Sequence, residues 1–198
     1  MVAGSILPVS YHNNKVYFLF GKENPMEDSA KGFSDFGGRI EEGESPYDGA
    51  LREGAEELTG FLGDKEELHR LIQRQGEIYT HTSDTYHVHM FYYPYDENLV
   101  KYYNQNHDYL WSHMDTKILN ESKLFEKIEI QWFEARSLKK HVKKFRPFYQ
   151  KIVMEMLKEM PAIERFVKSK RRHNKTHKKK GDSGSLVKRT WKISKNTL

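Results

Sequence analysis

Between Gly38 and Gly60 the chain sets glycine, arginine and glutamate at spacings that serve one kind of chemistry well. Gly38 is followed after five residues by Glu44, after seven more by Arg52-Glu53, and then by Glu56-Glu57. Ser45 reads as a helix N-cap, with Pro46 at the first helical position and Asp48 completing a capping-box-like start. The helix should run to about Leu58 and stop near Thr59-Gly60. On it Glu53, Glu56 and Glu57 stand at i, i+3 and i+4 and so share one face. Leu51, Ala55 and Leu58 fall on the other and can pack inward. Three like charges repel and weaken an isolated helix, and a divalent cation reverses that sign. Mg²⁺ takes oxygen ligands, combining a few carboxylates with water and substrate phosphates. Gly37-Gly38 lets the backbone come close, and the Gly37 carbonyl is a further candidate ligand. Three glutamates alone read best as a solvated acidic face. The added spacing of Gly38, Glu44 and Arg52 turns the reading to metal binding.

Around this segment the chain alternates strand and helix signals. Residues 5–11 and 16–21 read as strands of a hairpin turning at His12-Asn13-Asn14. Residues 22–33 are polar and read as a loop. Residues 77–82 and 85–93 form a second strand pair about Ser83-Asp84. The stretch 95–120 is aromatic and irregular, 128–133 alternates as a late strand, and 146–167 has helical apolar spacing after Pro147. Strands mixed with two substantial helices imply an α/β layered domain. There is no cysteine among the 198 residues, so disulfides, thiolate metal sites and cysteine nucleophiles are excluded, and an intracellular, chiefly cytoplasmic protein is expected. No apolar run approaches a membrane span, and the N-terminus lacks the pattern of a secretory signal.

The spacing around the helix resembles the Nudix box, G-x5-E-x7-R-E-U-x-E-E-x-G-U with U a bulky aliphatic residue. Gly38, Glu44, Arg52, Glu53, Glu56 and Glu57 match. Gly54 stands where an aliphatic is expected, Thr59 where the terminal glycine is expected, and Gly60 follows one place late. The segments FSDFGGRIEEGES and LFEKIEIQWF look most like Nudix proteins of large DNA viruses. The resemblance implies a Nudix-like α/β/α sandwich with a mixed sheet. It also implies water attack on a pyrophosphate linkage of a nucleoside diphosphate joined to another group, supported by Mg²⁺ or Mn²⁺. By the same resemblance Glu53, Glu56, Glu57 and Gly37 bind metal, and Arg52 orients a glutamate. Gly38 and Glu44 stand behind them or near substrate. Glu126, six residues before Trp132, is the general base, as in the mRNA-decapping hydrolase, with Glu129 as the alternative acid.

Other clusters are weighed against this one. His87 and His89, at i and i+2, share a strand face and can bind a metal, as can nearby His81, though lining a cleft is the commoner use of such positions. The aromatics from Tyr92 to Trp111 can stack a nucleobase, with core packing the commoner use. The net charge of +5 is uneven. Residues 168–198 hold twelve Lys and Arg against Asp182, while residues 1–167 carry a net −6. We expect a hydrolase domain over 1–167 and a basic, disordered tail over 168–198. The tail suits non-specific RNA contact or, through 168–180, nuclear import. The candidate substrates are a small nucleotide, capped mRNA and a diphosphoinositol polyphosphate. The acidic body argues against the last. A non-catalytic nucleotide- or RNA-binding module is the reading of a different class, and the full set of carboxylates opposes it. Nothing in the sequence fixes the oligomeric state.

Overall fold

Asn13 and Asn14 both adopt positive φ, 45° and 61°, the geometry of the tightest hairpin turn and one that asparagine tolerates. They join β1 (Ala3–His12) to β2 (Lys15–Glu23). The structure is a computed structural model and describes residues 2–24, 31–121 and 126–181, with 116, 120, 121 and 172–181 as backbone alone. After the hairpin come β3 (Phe33–Ser34), β4 (Phe36–Arg39), α1 (Pro46–Glu57), α2 (Lys65–Gln75), β5 (Tyr79–Ser83) and β6 (Tyr86–Tyr92). Then follow α3 (Glu97–His113), α4 (Thr116–Glu121), β7 (Lys127–Glu134), α5 (Leu138–His141), α6 (Pro147–Lys158) and α7 (Met160–Gly181).

The seven strands make one mixed sheet. β1 runs parallel to β6 and antiparallel to β2 and β4, while β2 runs antiparallel to β3 and β7. β1 and β2 pair only at the hairpin end, from Val9↔Phe18 to His12↔Lys15. Beyond that they diverge, because β4 takes the edge of β1 from Ala3 to Ile6 while β3 takes β2 at Gly21 and Lys22. The sheet therefore splits, and the split is where the carboxylate helix enters. Each face carries its own apolar cluster. One holds Leu7, Val9, Phe18, Phe20 and Met90 with Tyr149, Ile152 and Val153 of α6 and Ile163 and Val167 of α7. The other holds Ile6, Leu19, Phe36 and Phe91 with Leu51 of α1, Leu68 and Ile72 of α2, and Leu99 and Tyr103 of α3. Helices on both faces of a mixed sheet give the expected α/β/α sandwich. Each fully buried aliphatic side chain in these layers contributes roughly 1.5–3 kcal/mol.

The sequence reading is corrected in several places. The segment 22–33 is not a loop throughout, since Lys22 and Glu23 belong to β2 and Phe33 to β3, and the short β3 and β4 were not expected. The helices differ more. α2 was not expected, although its signals are local: Asp64 and Glu67 form a reciprocal capping box and Leu68 and Ile72 face the core. The stretch expected to be irregular is mainly α3, capped by Asp96 and burying Leu99, Tyr103 and His107 at i, i+4 and i+8. Its apolar stripe is aromatic and polar rather than aliphatic, which hides the period. The late helix is two helices. α6 ends at Lys158 with Glu159 as its C-cap, and α7 begins at Met160-Pro161, since proline is at home in a first helical turn and not inside a helix. α7 also runs through the expected boundary at 167/168, as far as Gly181. Val167 anchors it, the Lys168 ammonium and Arg171 guanidinium each lie 5.2 Å from the Tyr11 ring, and Lys170 pairs with Glu77 at 3.3 Å. The rest of the expected tail, 182–198, lies outside the described residues. Among the described residues no helix is long and apolar enough to cross a membrane.

Candidate active site

The site is built where α1 lies across the split sheet, and glycines make the approach close enough. A Cβ on Gly4 would stand 2.1 Å from the Pro46 carbonyl oxygen, so only glycine lets the start of α1 rest on β1. A Cβ on Gly38 would stand 2.6 Å from the Glu53 carboxylate, so that carboxylate occupies the space which a side chain would fill. Gly54 departs from the aliphatic expected there because Ile6 of β1 fills its place, 2.5 Å from where a Cβ would be. Ser45 caps α1, accepting from the Asp48 N–H at 3.1 Å, as the sequence predicts.

Arg52 holds the outer carboxylates. Its Nε and Nη2 donate to the two oxygens of Glu44, each at 3.0 Å, and Nη1 donates to Glu53 Oε1 at 2.8 Å. This fork keeps the Glu44 carboxyl down at about 2, the Arg52 bond being the main cause and the Glu41 N–H the next. Glu53 opens on a cleft of about 380 Å³ lined by Arg39, Ile40, Glu41, Glu42 and Arg52.

Glu57 points the other way, into the protein, and is only 5% exposed. Its Oε2 accepts from the Gly37 N–H at 2.8 Å and its Oε1 lies 3.1 Å from Lys127 Nζ. Lys127 is wholly buried, pairs also with Glu23, and donates to Ser34 Oγ at 2.9 Å. Arg146, before α6, donates to Glu23 at 2.6 Å. A register shift sets Lys22 opposite Glu129 but Glu23 opposite Lys127, leaving Ile128 as an extra residue on β7. This bulge brings Lys127 opposite Glu23, a usual device for re-aiming a side chain beside a site. Burial pushes the Glu57 carboxyl up to about 8. Lys127 opposes the rise, and the negative charges of Glu23 and Glu126 add to it.

The candidates named from sequence thus divide. Gly37, Gly38, Glu44, Arg52, Glu53 and Glu57 meet at the split, and half-buried Glu126 is near enough for its charge to act on Glu57. Glu129 faces elsewhere, its Oε2 3.3 Å from Lys22 Nζ. Glu56 also turns outward, with its side chain 60% exposed and 4.0 Å from Arg52, so the three helix glutamates do not present one face together. The reason is local: Glu57 alone stands over the buried lysine and the Gly37 N–H. Among the described residues no three carboxylates or histidines converge as a ready metal-binding group. His87 and His89 contact Thr82 and Thr80 on the neighbouring strand at 3.2 and 3.1 Å, and burial lowers His89 to about 4. Sequence reasoning missed Glu23, Lys127 and Arg146. Lys127 follows Glu126 directly in an otherwise apolar-alternating strand, the one signal that pointed to it. Asp35 was missed as well. It is buried between β3 and β4, accepts from Ser5 Oγ and, at 2.7 Å, from the Tyr86 hydroxyl, and burial raises its carboxyl.

Glutamates set across a glycine-lined split in a sheet of this topology suit the cleavage of a pyrophosphate linkage. The NUDIX domain family matches residues 9–155, and the chain belongs to that family. No curated protein matches the chain. Among solved structures it is similar to the Caenorhabditis elegans Ap4A hydrolase, at 13% identity and a TM-score of 0.44, covering 82% of this chain and 98% of that one. It is also similar to a mutT/nudix family protein from Listeria innocua, at 12% identity and a TM-score of 0.42, covering 81% and 94%. A third is Shewanella oneidensis NrtR complexed with a 27mer DNA, at 13% and 0.36, covering 80% and 61%.

Nudix enzymes generally use Mg²⁺ or Mn²⁺, and the donor set here fits such an ion in kind. Glu44 and Glu53 stand on Arg52, Glu57 on Lys127, and Glu23 on Lys127 and Arg146, with Glu126 nearby; among the described residues they spread along the split rather than converge on one point. The excess is negative and all the donors are oxygen, which is what a hard divalent cation requires.

Proposed function

We propose that this chain is a divalent-cation-dependent Nudix hydrolase that cleaves a pyrophosphate linkage in a nucleoside diphosphate joined to a second group, with capped mRNA as the substrate. The observation that carries the reading is the buried Glu57, held by the Gly37 N–H and Lys127 beside Glu53 and Glu126. Burying this much charge is costly and is kept where it performs a task. Glu53, Glu57 and the Gly37 carbonyl would hold the ion, with Glu56 reaching it from the rim. When bound, Mg²⁺ or Mn²⁺ polarises phosphoryl oxygens and makes water a better nucleophile. Arg52 fixes Glu53 through its Nη1. Glu126 accepts a proton from the attacking water as the new oxygen–phosphorus bond forms and the bond to the departing phosphate breaks. Lys127 and Arg146 neutralise Glu23 and keep the inner charge in balance.

Capped mRNA is favoured over a small nucleotide by charge. Residues 168–198 carry a net +11 on a body of −6, a run of charge suited to a phosphate chain, and 168–181 continue the helix α7. We assign the hydrolase domain to 1–167 and the basic extension to 168–198, and place the protein in the cytoplasm, with nuclear import as a second role of 168–180. A panel of nucleoside triphosphates, dinucleoside polyphosphates, cap analogues, capped RNA and inositol pyrophosphates, each with Mg²⁺ and with Mn²⁺, tests this. The expected result is release of a cap nucleotide from capped RNA at a kcat/KM above that of any small nucleotide. Preferential cleavage of a small nucleotide would overturn the RNA assignment, and cleavage undiminished by chelator would overturn the metal.

A further inference from the structure

Tyr103, on α3, is 1% exposed and sits in apolar surroundings, its ring centroid 5.0 Å from that of Phe61. Phenylalanine would pack there as well, and a buried hydroxyl costs stability unless it is bonded. The hydroxyl is bonded to two main-chain carbonyls, Glu57 O at 3.0 Å and Lys127 O at 2.9 Å. The first is one of the end carbonyls of α1 that no helical N–H can satisfy. The second belongs to the bulged start of β7. Next to it, Asn104 bonds both ways with the main chain of Ile130, at 3.2 and 2.9 Å, and so covers the edge of β7. Glu57 and Lys127 are thus tied twice. Their side chains meet in the ion pair, and their main chains share the proton of Tyr103.

We propose that Tyr103 is a positioning residue. Its hydroxyl sets the separation of α1 and β7 at which Glu57 and Glu126 stand correctly for the divalent cation and for water. This rests on the proposal that Glu53 and Glu57 form the metal centre. None of these contacts brings a side chain of α3 into the carboxylate cluster, and the Tyr103 hydroxyl reaches it through these two carbonyls, beside the Asn104 bonds to β7. Without the hydroxyl the ion pair remains, but both carbonyls lose a partner and the two elements are free to part.

The test compares Tyr103→Phe, Phe61→Leu and Glu57→Gln in the full chain, by Mn²⁺ titration without substrate, by kcat and KM at saturating metal, and by thermal unfolding. Loss of one buried hydrogen bond predicts Mn²⁺ affinity and kcat each lower by about three- to tenfold in Tyr103→Phe, with KM within about twofold of wild type. Phe61→Leu disturbs the same packing and keeps the hydroxyl, so it should lower Tm and leave Mn²⁺ affinity unchanged. The proposal is overturned if Tyr103→Phe binds Mn²⁺ and turns over as wild type does. It is equally overturned if Tyr103→Phe and Phe61→Leu lose Mn²⁺ affinity in proportion to their loss of Tm, which would make the hydroxyl merely structural. Glu57→Gln separates this failure from the larger one. If it too binds Mn²⁺ normally, the metal centre itself is misplaced.

Discussion

The two ends of the sheet are both dense in charge, and they use it oppositely. At the split end Glu23, Glu57, Lys127 and Arg146 are buried or half-buried and joined at 3.1 Å or less. At the hairpin end, six residues further along β1 from Ser5 to Tyr11 and so ~20 Å away at ~3.3 Å per residue, α7 brings Lys168 and Arg171 against one aromatic ring. The first arrangement mixes signs, with each partner fixed by several contacts. The second is exposed and mostly of one sign: Lys168 pairs with Glu164 and Lys170 with Glu77 at its start, and the sequence then continues from Arg172 to Lys180 with cations and no acid. Buried mixed charge is costly to assemble, and removing one member leaves the others unpaired. A run of surface cations is cheap and acts by its sum. Chemistry should therefore fail on single substitutions at the split end and affinity on deletion of many charges at the other.

The largest expected effect is at Glu126. Glu126→Gln should slow turnover roughly 10²–10⁴-fold if Glu126 is the general base, while Glu129→Gln, removing only the contact to Lys22, should stay near wild type. A steady-state comparison of the two decides between them, and the reverse result would move the base to Glu129. Glu57→Gln should cost at least ~10² in kcat and adds a sign that stability can read. Its carboxyl titrates near 8 in the metal-free protein, against an ordinary value of 4.5 when unfolded. The folded state then binds more protons than the unfolded state between those two values. The contribution of Glu57 to Tm in the metal-free protein should therefore be lost as pH rises from 4.5 to 8, while His89, lowered to about 4, contributes the opposite sign below 6.5. The readout is the difference between wild type and variant: Glu57→Gln should lack the downward contribution, and Mn²⁺ should oppose it in the wild type alone. A Glu57→Gln variant with the same pH slope of Tm as wild type would show that Glu57 ionises easily, and with it that the buried cluster is less dry than its contacts imply.

How much of this was legible in sequence follows the same division. The fold class, the hairpin, the late strand and the outer carboxylates were readable because their signals are local: a two-asparagine turn, alternation, and glycine and glutamate at fixed spacing. Lys127 and Glu23 are 104 residues apart in the chain, and what joins them is a bulge that alternation does not announce. α3 was unreadable for another reason. Its buried face is Leu99, Tyr103 and His107, which composition classes as aromatic and polar. Glu56 shows the opposite failure. Helical spacing placed it correctly on the helix but could not say that the buried lysine lies beneath Glu57 alone.

At the hairpin end the prediction concerns affinity. Deleting 172–198 removes nine Lys and Arg and one Asp while keeping Val167, Lys168 and Arg171 in place. Turnover of a small nucleotide should be unchanged. On capped RNA, KM should rise and its salt dependence flatten, because each single-strand phosphate neutralised contributes about −0.7 to the slope of log K against log salt. Six engaged cations would give a slope near −4 by the same rule, easily seen at two salt concentrations. If truncation leaves KM and slope on RNA unaltered, the basic extension has no part in substrate binding. If it abolishes activity on every substrate, the two ends are not separable.

The smallest expected effect returns to the split end and concerns strain. Among the described residues four other than glycine have positive φ, and three of them, Asn13, Asn14 and Asp84, have side chains that tolerate it in strand turns. The fourth is Thr59, at 52°, a β-branched residue for which this conformation is a real outlier. Its position explains why it is there. α1 ends with the Thr59 N–H bonded to Glu56 O at 2.8 Å and the Gly60 N–H bonded to Ala55 O at 3.2 Å, a Schellman closure whose left-handed residue is normally glycine. The Nudix pattern has glycine at this place, and here the glycine is one residue late. Thr59→Gly should relieve a penalty of ~1–2 kcal/mol, less the ~0.5–1 kcal/mol that a more flexible unfolded chain takes back. A net gain of about 0.5–1 kcal/mol is expected by denaturant melt, with kcat close to wild type because the Glu57 main chain keeps its partners. No comparable gain should follow from Asn14→Gly at the hairpin end, where asparagine already suits the turn. Should Thr59→Gly instead destabilise the protein, the threonine side chain contributes contacts worth more than its strain, and the left-handed exit of α1 is then held by packing rather than imposed on it.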